Sequence, residues 1–312
     1  MNKILSLFTK LMLVWVLLAG IIGYLQPGLF TGLKNYTDWL FAFTMLGIGA
    51  ILNVDDFRPV FRKPHLVLLG ILAQFAIMPA SGYFVARMLH LSKDLTLGLI
   101  MVGSVPGAMA SNVISYLARA DVAYSIALTT ASTTLAPVLT PAFVYLFGHT
   151  IIEIKFWAMF LSIIKMVILP LLVGFGLRHF FKKQMVRLEQ FFPALSTLFI
   201  AFICGLVVAL NQKYIVQLSL IVFVAISLMN FLGLLLGYLA GVLYGFDKKR
   251  RRTLSFEVGM QNAGLGAVLS LKHFSAQAAL PNALFATWCI LTASILAMIW
   301  SKSASKSEEQ PG

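Results

Sequence analysis

Apolar residues in this chain fall into long runs separated by short polar breaks. The pattern shows neither the one-sided stripe of an amphipathic helix nor the alternation of a half-buried strand. A run of about 20 apolar residues lets a helix cross the hydrocarbon core of a bilayer. Ten such runs are predicted: Leu5–Leu25, Asn35–Leu52, Leu66–Leu89, Leu95–Ala118, Val122–Phe147, Phe156–Phe180, Phe192–Leu210, Tyr214–Tyr244, Leu254–Leu271 and Pro281–Trp300. The connections are short and no soluble or low-complexity segment interrupts, so residues 1–312 are expected to form one all-α, polytopic membrane domain. No small-residue cleavage pattern follows the first run, which reads as a retained helix and not a signal peptide.

Composition agrees with this reading. Of 312 residues, 60% are hydrophobic and 11% are charged, against roughly 25% charged in soluble domains. A cytosolic enzyme, a secreted disulfide scaffold and a nucleic-acid-binding protein are excluded, the last despite a net charge of +13. Cys204 and Cys289 sit inside apolar runs and read as small core residues.

The basic residues are unevenly placed. On one side of the expected bilayer lie seventeen: Lys3, Lys10, Arg58, Arg62, Lys63, Arg119, Arg178, Lys182, Lys183, Arg187, Lys248, Lys249, Arg250, Arg251, Arg252, Lys302 and Lys306. The other side has six, Lys34, Arg87, Lys93, Lys155, Lys213 and Lys272, with Lys165 inside the sixth run. The positive-inside bias then places both termini in the cytoplasm. The Lys248–Arg252 run is expected to anchor the topology among anionic lipid headgroups.

The acids are fewer and more telling. Ten of the eleven lie in or beside loops, Asp38 close to the start of the second run; the one left over, Glu257, falls a few residues inside the ninth run, among further polar residues. A charge at membrane depth costs at least about 2.5 kcal/mol, which makes it a functional candidate by default. A protonated carboxyl bonded to a neighbour, or a Glu still at the interface, are the plainer alternatives. Its segment, Glu257-Val-Gly-Met-Gln-Asn262-Ala-Gly264, concentrates polar residues and glycines. The fourth run carries a comparable interruption, Gly103-Ser-Val-Pro-Gly-Ala-Met-Ala-Ser-Asn112.

Asn112 and Asn262 lie about 150 residues apart, each in the fourth span of its half. Five spans is an odd number, so a duplicated unit inserts the second time upside down. Two inverted five-helix repeats are expected, over about 1–150 and 151–302, with a short cytoplasmic tail over 303–312. Interrupted helices at matching positions point to the midplane site of a secondary transporter. A broken helix offers carbonyl oxygens at one end and amide N–H groups at the other, for a cation and an anion respectively.

The fifth run adds Ser125, Thr129, Thr130, Ser132, Thr133 and Thr134, with Ser125 and Thr129 on one helical face. Such hydroxyls also serve ordinary helix packing. Gln74 and Asn230 are lone mid-membrane amides at corresponding spans, and either can be simple helix glue.

These residues resemble the bile acid:sodium symporter family. The resemblance rests on Pro106-Gly107 leading to Ser111-Asn112, on Glu257-Val258-Gly259-Met260-Gln261-Asn262, and on the intervening Tyr-Leu-Ala-Arg-Ala-Asp-Val-Ala-Tyr-Ser and Thr-Thr-x-Ser-Thr segments. It covers nearly the whole chain. It implies ten helices as an inverted repeat, with the fourth and ninth broken and crossing near the midplane. A core of spans three to five and eight to ten would move against a panel of spans one, two, six and seven.

The resemblance also implies the ligands. Ser111, Asn112, Ser125, Thr129 and Glu257 would hold one sodium ion; Gln74, Glu257, Gln261 and the carbonyls of Val258 and Met260 a second. Ala108, Met109, Asn112 and Asn262 would face the substrate. The expected function is sodium-coupled import of an organic anion by alternating access across a bacterial inner (plasma) membrane. The anion would be bile-acid-like or a small carboxylate such as pantoate. Two co-transported sodium ions, and no organic cofactor, nucleic acid or protein partner, are expected. Ala108, Met109, Cys289 and Ile290 depart from the pattern of bile-acid-transporting relatives, while the cation-site residues do not. A proton-coupled carrier of the same fold is the alternative; a passive channel and an intramembrane enzyme are remote ones, and no enzyme motif is present.

Overall fold

A computed structural model of the chain describes residues 5–308 apart from 6, 10 and 190. Lys3, Lys10 and Glu309, counted above, lie outside the described residues. The architecture is helical throughout, and among the described residues there is no β-strand.

The principal helices are α1 (Met12–Leu25), α2 (Thr37–Ile51), α3 (Pro64–Met88), α4 (Lys93–Ser104), α5 (Ala110–Leu117) and α6 (Val122–Gly148). They continue with α7 (Phe156–Phe180), which contains a π turn over Ile164–Ile168, and α8 (Phe191–Leu210). The last are α9 (Ile215–Leu243), α10 (Lys248–Gly259), α11 (Ala263–His273) and α12 (Ala276–Glu308). Six of these, α3, α6, α7, α8, α9 and α12, are long and apolar enough to span a bilayer. The chain is an integral membrane protein.

The predicted fourth and ninth runs are each divided, into α4 and α5 and into α10 and α11. These pieces have 12, 8, 12 and 11 residues. At 1.5 Å per residue none of them alone covers a core about 30 Å thick.

Several element ends differ from expectation, most of all the start of α10 and both ends of α12, which begins at Ala276. α10 begins at Lys248 because the Asp247 side chain caps it, accepting from the Arg250 amide at 3.0 Å. The basic run is therefore helical. The reading of Arg252 as a headgroup anchor is corrected: it is only 4% exposed, donates to the Ala118 carbonyl at 3.2 Å, and lies 5.6 Å over the Trp300 ring. A guanidinium on a long apolar stem can be satisfied inward by a carbonyl and an aromatic face. α12 runs to Glu308, six residues into the segment expected as a tail.

The helices pack in two groups. In one, α2 meets α7 at mutually opposed glycines: a Cβ on Gly49 would lie 2.1 Å from the Leu171 oxygen, and one on Gly174 2.0 Å from the Leu46 oxygen. Only glycine permits that approach, the usual means of helix association in lipid. α1 and α8 complete this group. The other group gathers α3 to α6 and α9 to α12 around the two helix breaks.

Candidate functional site

Each break begins where a helix runs into extended backbone. Val105 follows α4 with φ −77° and ψ 159°, and Met260 follows α10 with φ −114° and ψ 118°. The two extended stretches cross and pair as an isolated antiparallel bridge between Gly107 and Gln261. Ala108 N donates to the Met260 oxygen at 3.1 Å, and Asn262 N to the Pro106 oxygen at 2.8 Å. Non-helical backbone is tolerated at membrane depth only where its polar groups find partners inside the protein. Here each break satisfies the other.

Glu257 stands in the last turn of α10, fully buried. Its Oε1 accepts from the Ser111 and Ser125 hydroxyls, each at 2.5 Å, and from Thr129 at 3.2 Å; Thr129 also reaches Oε2 at 3.0 Å. The Thr129 oxygen also lies 3.3 Å from Asn112 Oδ1. The five residues expected around one cation are thus brought together from α5, α6 and α10. Among the described residues Glu257 makes no ion pair with a Lys, Arg or His.

The residues expected around a second cation also meet. Gln74 Nε2 donates to Gln261 Oε1 at 3.4 Å, and Gln261 Nε2 to the Val258 oxygen at 2.8 Å. The Gln74 Oε1 is buried and has no hydrogen-bond partner among the described residues. Gly107 keeps the space between these groups open, since a Cβ there would lie 3.0 Å from Glu257 Oε2 and 3.6 Å from Gln74 Nε2. Carboxylate, amide, hydroxyl and carbonyl oxygens suit a hard cation. Among the described residues no group of three or more His, Cys, Asp or Glu side chains forms a site for a softer metal.

Beside the crossing lies a largely apolar cavity of about 540 Å³. Ala108, Met109, Asn112 and Asn262, the residues expected to face substrate, all line it, as do Cys289 and Ile290. Asn262 Oδ1 caps α11 by accepting from Leu265 N at 3.2 Å, so its NH₂ is the group left for a ligand. The cavity follows α2 from Phe41 to its end and α8 from Phe192 to Ile200, and reaches Thr9 and Val113. These are the helix ends that adjoin the basic connections. At the opposite end Phe41 and Phe199 meet with ring centroids 5.3 Å apart, and the Lys272 ammonium pairs with the Asp38 carboxylate.

Ser115 was not singled out in the sequence. It is fully buried and donates to the Ser125 hydroxyl at 3.3 Å, extending the hydroxyl cluster. Its place four residues after Ser111, on the same face of α5, was the available signal. Thr44, Ser196 and Thr197 also line the cavity but are bonded to their own helix carbonyls at 3.0, 3.2 and 3.0 Å. Of the fifth-run hydroxyls, Ser132 and Thr134 do the same, at 3.2 and 2.8 Å, and Thr129 also lies 3.0 Å from the Ser125 oxygen, the packing role that competes with ligation.

Comparison with known proteins places these features among relatives. Residues 39–218 match the family described as Sodium Bile acid symporter family. The chain is similar to the uncharacterized sodium-dependent transporter YocS of Bacillus subtilis, at 38% identity over 95% of this chain and 92% of that one. It is 35% identical to the probable sodium/metabolite cotransporter BASS1, chloroplastic, of Arabidopsis thaliana, over 95% of this chain and 74% of that protein. In fold it resembles the sodium proton antiporter MjNhaP1 of Methanocaldococcus jannaschii, with a TM-score of 0.58 and 14% identity over 96% and 95% of the two chains.

Proposed function

From the premise that the chain belongs to the Sodium Bile acid symporter family, we propose that it is a sodium-coupled symporter importing an organic anion by alternating access. The observation that carries this reading is Glu257: a fully buried carboxylate, ringed by hydroxyl oxygens, with no basic partner among the described residues. A buried charge that is hydrogen-bonded but has no counter-charge is unfavourable, and a bound cation offsets the penalty.

The chain acts as one membrane domain of ten spans in two inverted halves. In support, an offset of 156 residues relates Gly103 to Gly259 and Met78 to Leu234, and both pairs sit where a long helix packs on a break. One sodium ion is held by Ser111, Asn112, Ser125, Thr129 and Glu257, and the second by Gln74, Glu257, Gln261 and the carbonyls of Val258 and Met260. Two sodium ions beside one carboxylate leave one positive charge, which a monoanion neutralises. Asn112, which touches both the hydroxyl cluster and the cavity, couples the two. The anion lies against Ala108, Met109, Asn112 and Asn262, where α5 and α11 begin and the helix dipoles favour negative charge. Its body fills the apolar cavity.

Both termini face the cytoplasm, and the conformation is inward-open. The cavity reaches the ends of α2 and α8 that adjoin the basic connections, while the Asp38–Lys272 and Phe41–Phe199 contacts close the far side. α1, α2, α7 and α8 form the panel, and the remaining helices the core. Each cycle moves one net charge, worth about 2.3 kcal/mol per 100 mV, so uptake is electrogenic. The site of action is a plasma membrane, by analogy with the bacterial relative.

The test is uptake of labelled taurocholate and of pantoate into proteoliposomes with an inward sodium gradient, then with a proton gradient alone. Accumulation driven only by sodium, and abolished in Glu257→Gln, supports the proposal. Accumulation driven equally by protons in sodium-free buffer would overturn it in favour of a proton-coupled carrier.

A further inference from the structure

Asn230 is an amide that the sodium reading leaves without a role. It lies in the middle of α9, 1% exposed. Its Nδ2 donates to the Gly259 oxygen at 2.9 Å, and its Oδ1 accepts from Thr292 of α12 at 2.7 Å. Gly259 closes α10, and the last carbonyls of a helix have no partner within it.

Three consecutive carbonyls at this break have three different partners. Val258 O takes the Gln261 side chain, Gly259 O takes Asn230, and Met260 O takes the amide of Ala108. Because Met260 is extended, carbonyls on either side of it point in opposite directions. Turning Gly259 O towards α9 therefore turns Met260 O towards the crossing. α9 is pressed close at this point: a Cβ on Gly259 would lie 3.1 Å from Leu234 N, and one on Gly233 3.1 Å from Gly259 Cα. The peptide has no room to rotate while the amide holds it.

The offset of 156 residues that relates Gly103 to Gly259 also relates Gln74 to Asn230. The two occupy equivalent places four residues before Met78 and Leu234. Gln74 reaches across to Gln261 in the other half, whereas Asn230 reaches the break of its own half.

We propose that Asn230, oriented by Thr292, is a positioning residue that aims the Met260 carbonyl at the second sodium ion. The inference rests on the sodium-coupled reading above. It also ties the cation site to α12, whose Cys289 and Ile290 line the anion cavity one turn earlier.

The test is the unfolding midpoint of the purified full chain titrated with NaCl against choline chloride, for wild type, Asn230→Leu and Thr292→Val. Asn230→Leu keeps the side chain's volume without its donor; Thr292→Val removes only the hydroxyl. The expected result is a half-saturating sodium concentration raised about tenfold in Asn230→Leu, the scale on which residues behind metal ligands act, with a smaller rise in Thr292→Val. A packing role alone would lower the midpoint in choline and leave the sodium half-saturation unchanged. That result in both variants overturns the proposal, and Thr292→Val decides alone if Asn230→Leu does not fold. A wild-type protein without a sodium response would instead overturn the underlying sodium reading.

Discussion

The Thr129 hydroxyl lies 3.3 Å from the Asn112 Oδ1 and 3.0 Å from the Glu257 Oε2. Asn112 itself lines the cavity, so a single hydroxyl stands between the buried carboxylate and the space for a ligand. On the proposed reading, a cation that orders this cluster would also order the cavity wall, so that binding at either place would favour binding at the other, with reciprocal coupling.

Glu257→Gln removes the only carboxylate in the cluster while keeping its shape. Sodium-dependent thermal stabilisation is expected to weaken, with half-saturation rising by tenfold or more, since 1.4 kcal/mol corresponds to about a factor of ten. Titration with sodium in the absence of any anion measures this directly.

Gly107→Ala places a methyl group 3.0 Å from Glu257 Oε2 and 3.6 Å from Gln74 Nε2. The obstructed atoms are side-chain ends, so the fold is expected to survive by circular dichroism and gel filtration. Sodium half-saturation is expected to rise at least several-fold. An unchanged value would show that no ion occupies the space between these groups.

Ile290→Trp fills the cavity wall away from Glu257. It is expected to abolish uptake of the anion while leaving sodium-dependent stabilisation near that of wild type. Loss of both responses together would mean that the cavity and the oxygen cluster are one site.

Asp38→Asn removes one partner of the ion pair that closes the far side. The pair is part-exposed, 34% and 39% for the two side chains, and pairs of that kind are worth about 0–1 kcal/mol. A shift of up to roughly fivefold towards the outward-open form follows from that range. Val113→Cys reports it: Val113 lines the cavity and is 61% exposed, while Cys204 and Cys289 are buried. Labelling by a thiol reagent applied from the cytoplasmic side is expected to slow in the Asp38→Asn background.

Gly174→Val tests the close approach of α7 to α2. The added carbon atoms would overlap the Leu46 carbonyl, and overpacking of this kind costs about 1–3 kcal/mol. A lower unfolding midpoint with unaltered sodium half-saturation is expected, because neither α2 nor α7 carries a residue that bonds Glu257.

Much of the site was legible from residue type alone. Glu257, Gln261 and Asn262 stood out because polar groups are expensive inside an apolar run, and Pro106 and Gly107 because they weaken a helix. The resemblance of their spacing to a known family brought Ser125, Thr129 and Gln74 into the same set. Ser115 and Thr292 stayed hidden, since a hydroxyl bonded to its own helix and one turned to a distant partner look alike in sequence. Arg252 was misread for a related reason: position in a basic run does not tell which way a long side chain turns.

The sequence by itself determined that the chain is a helical membrane protein, where its helices lie, and which two are interrupted. These properties follow from local hydrophobicity and helix geometry, which act over a few turns of chain. Only the tertiary structure decided that the two interruptions cross and satisfy each other's backbone, that Glu257 gathers hydroxyls from α5 and α6, and which end of the cavity is closed. These contacts join residues more than a hundred positions apart. They depend on how closely helices approach, and no local pattern encodes that distance.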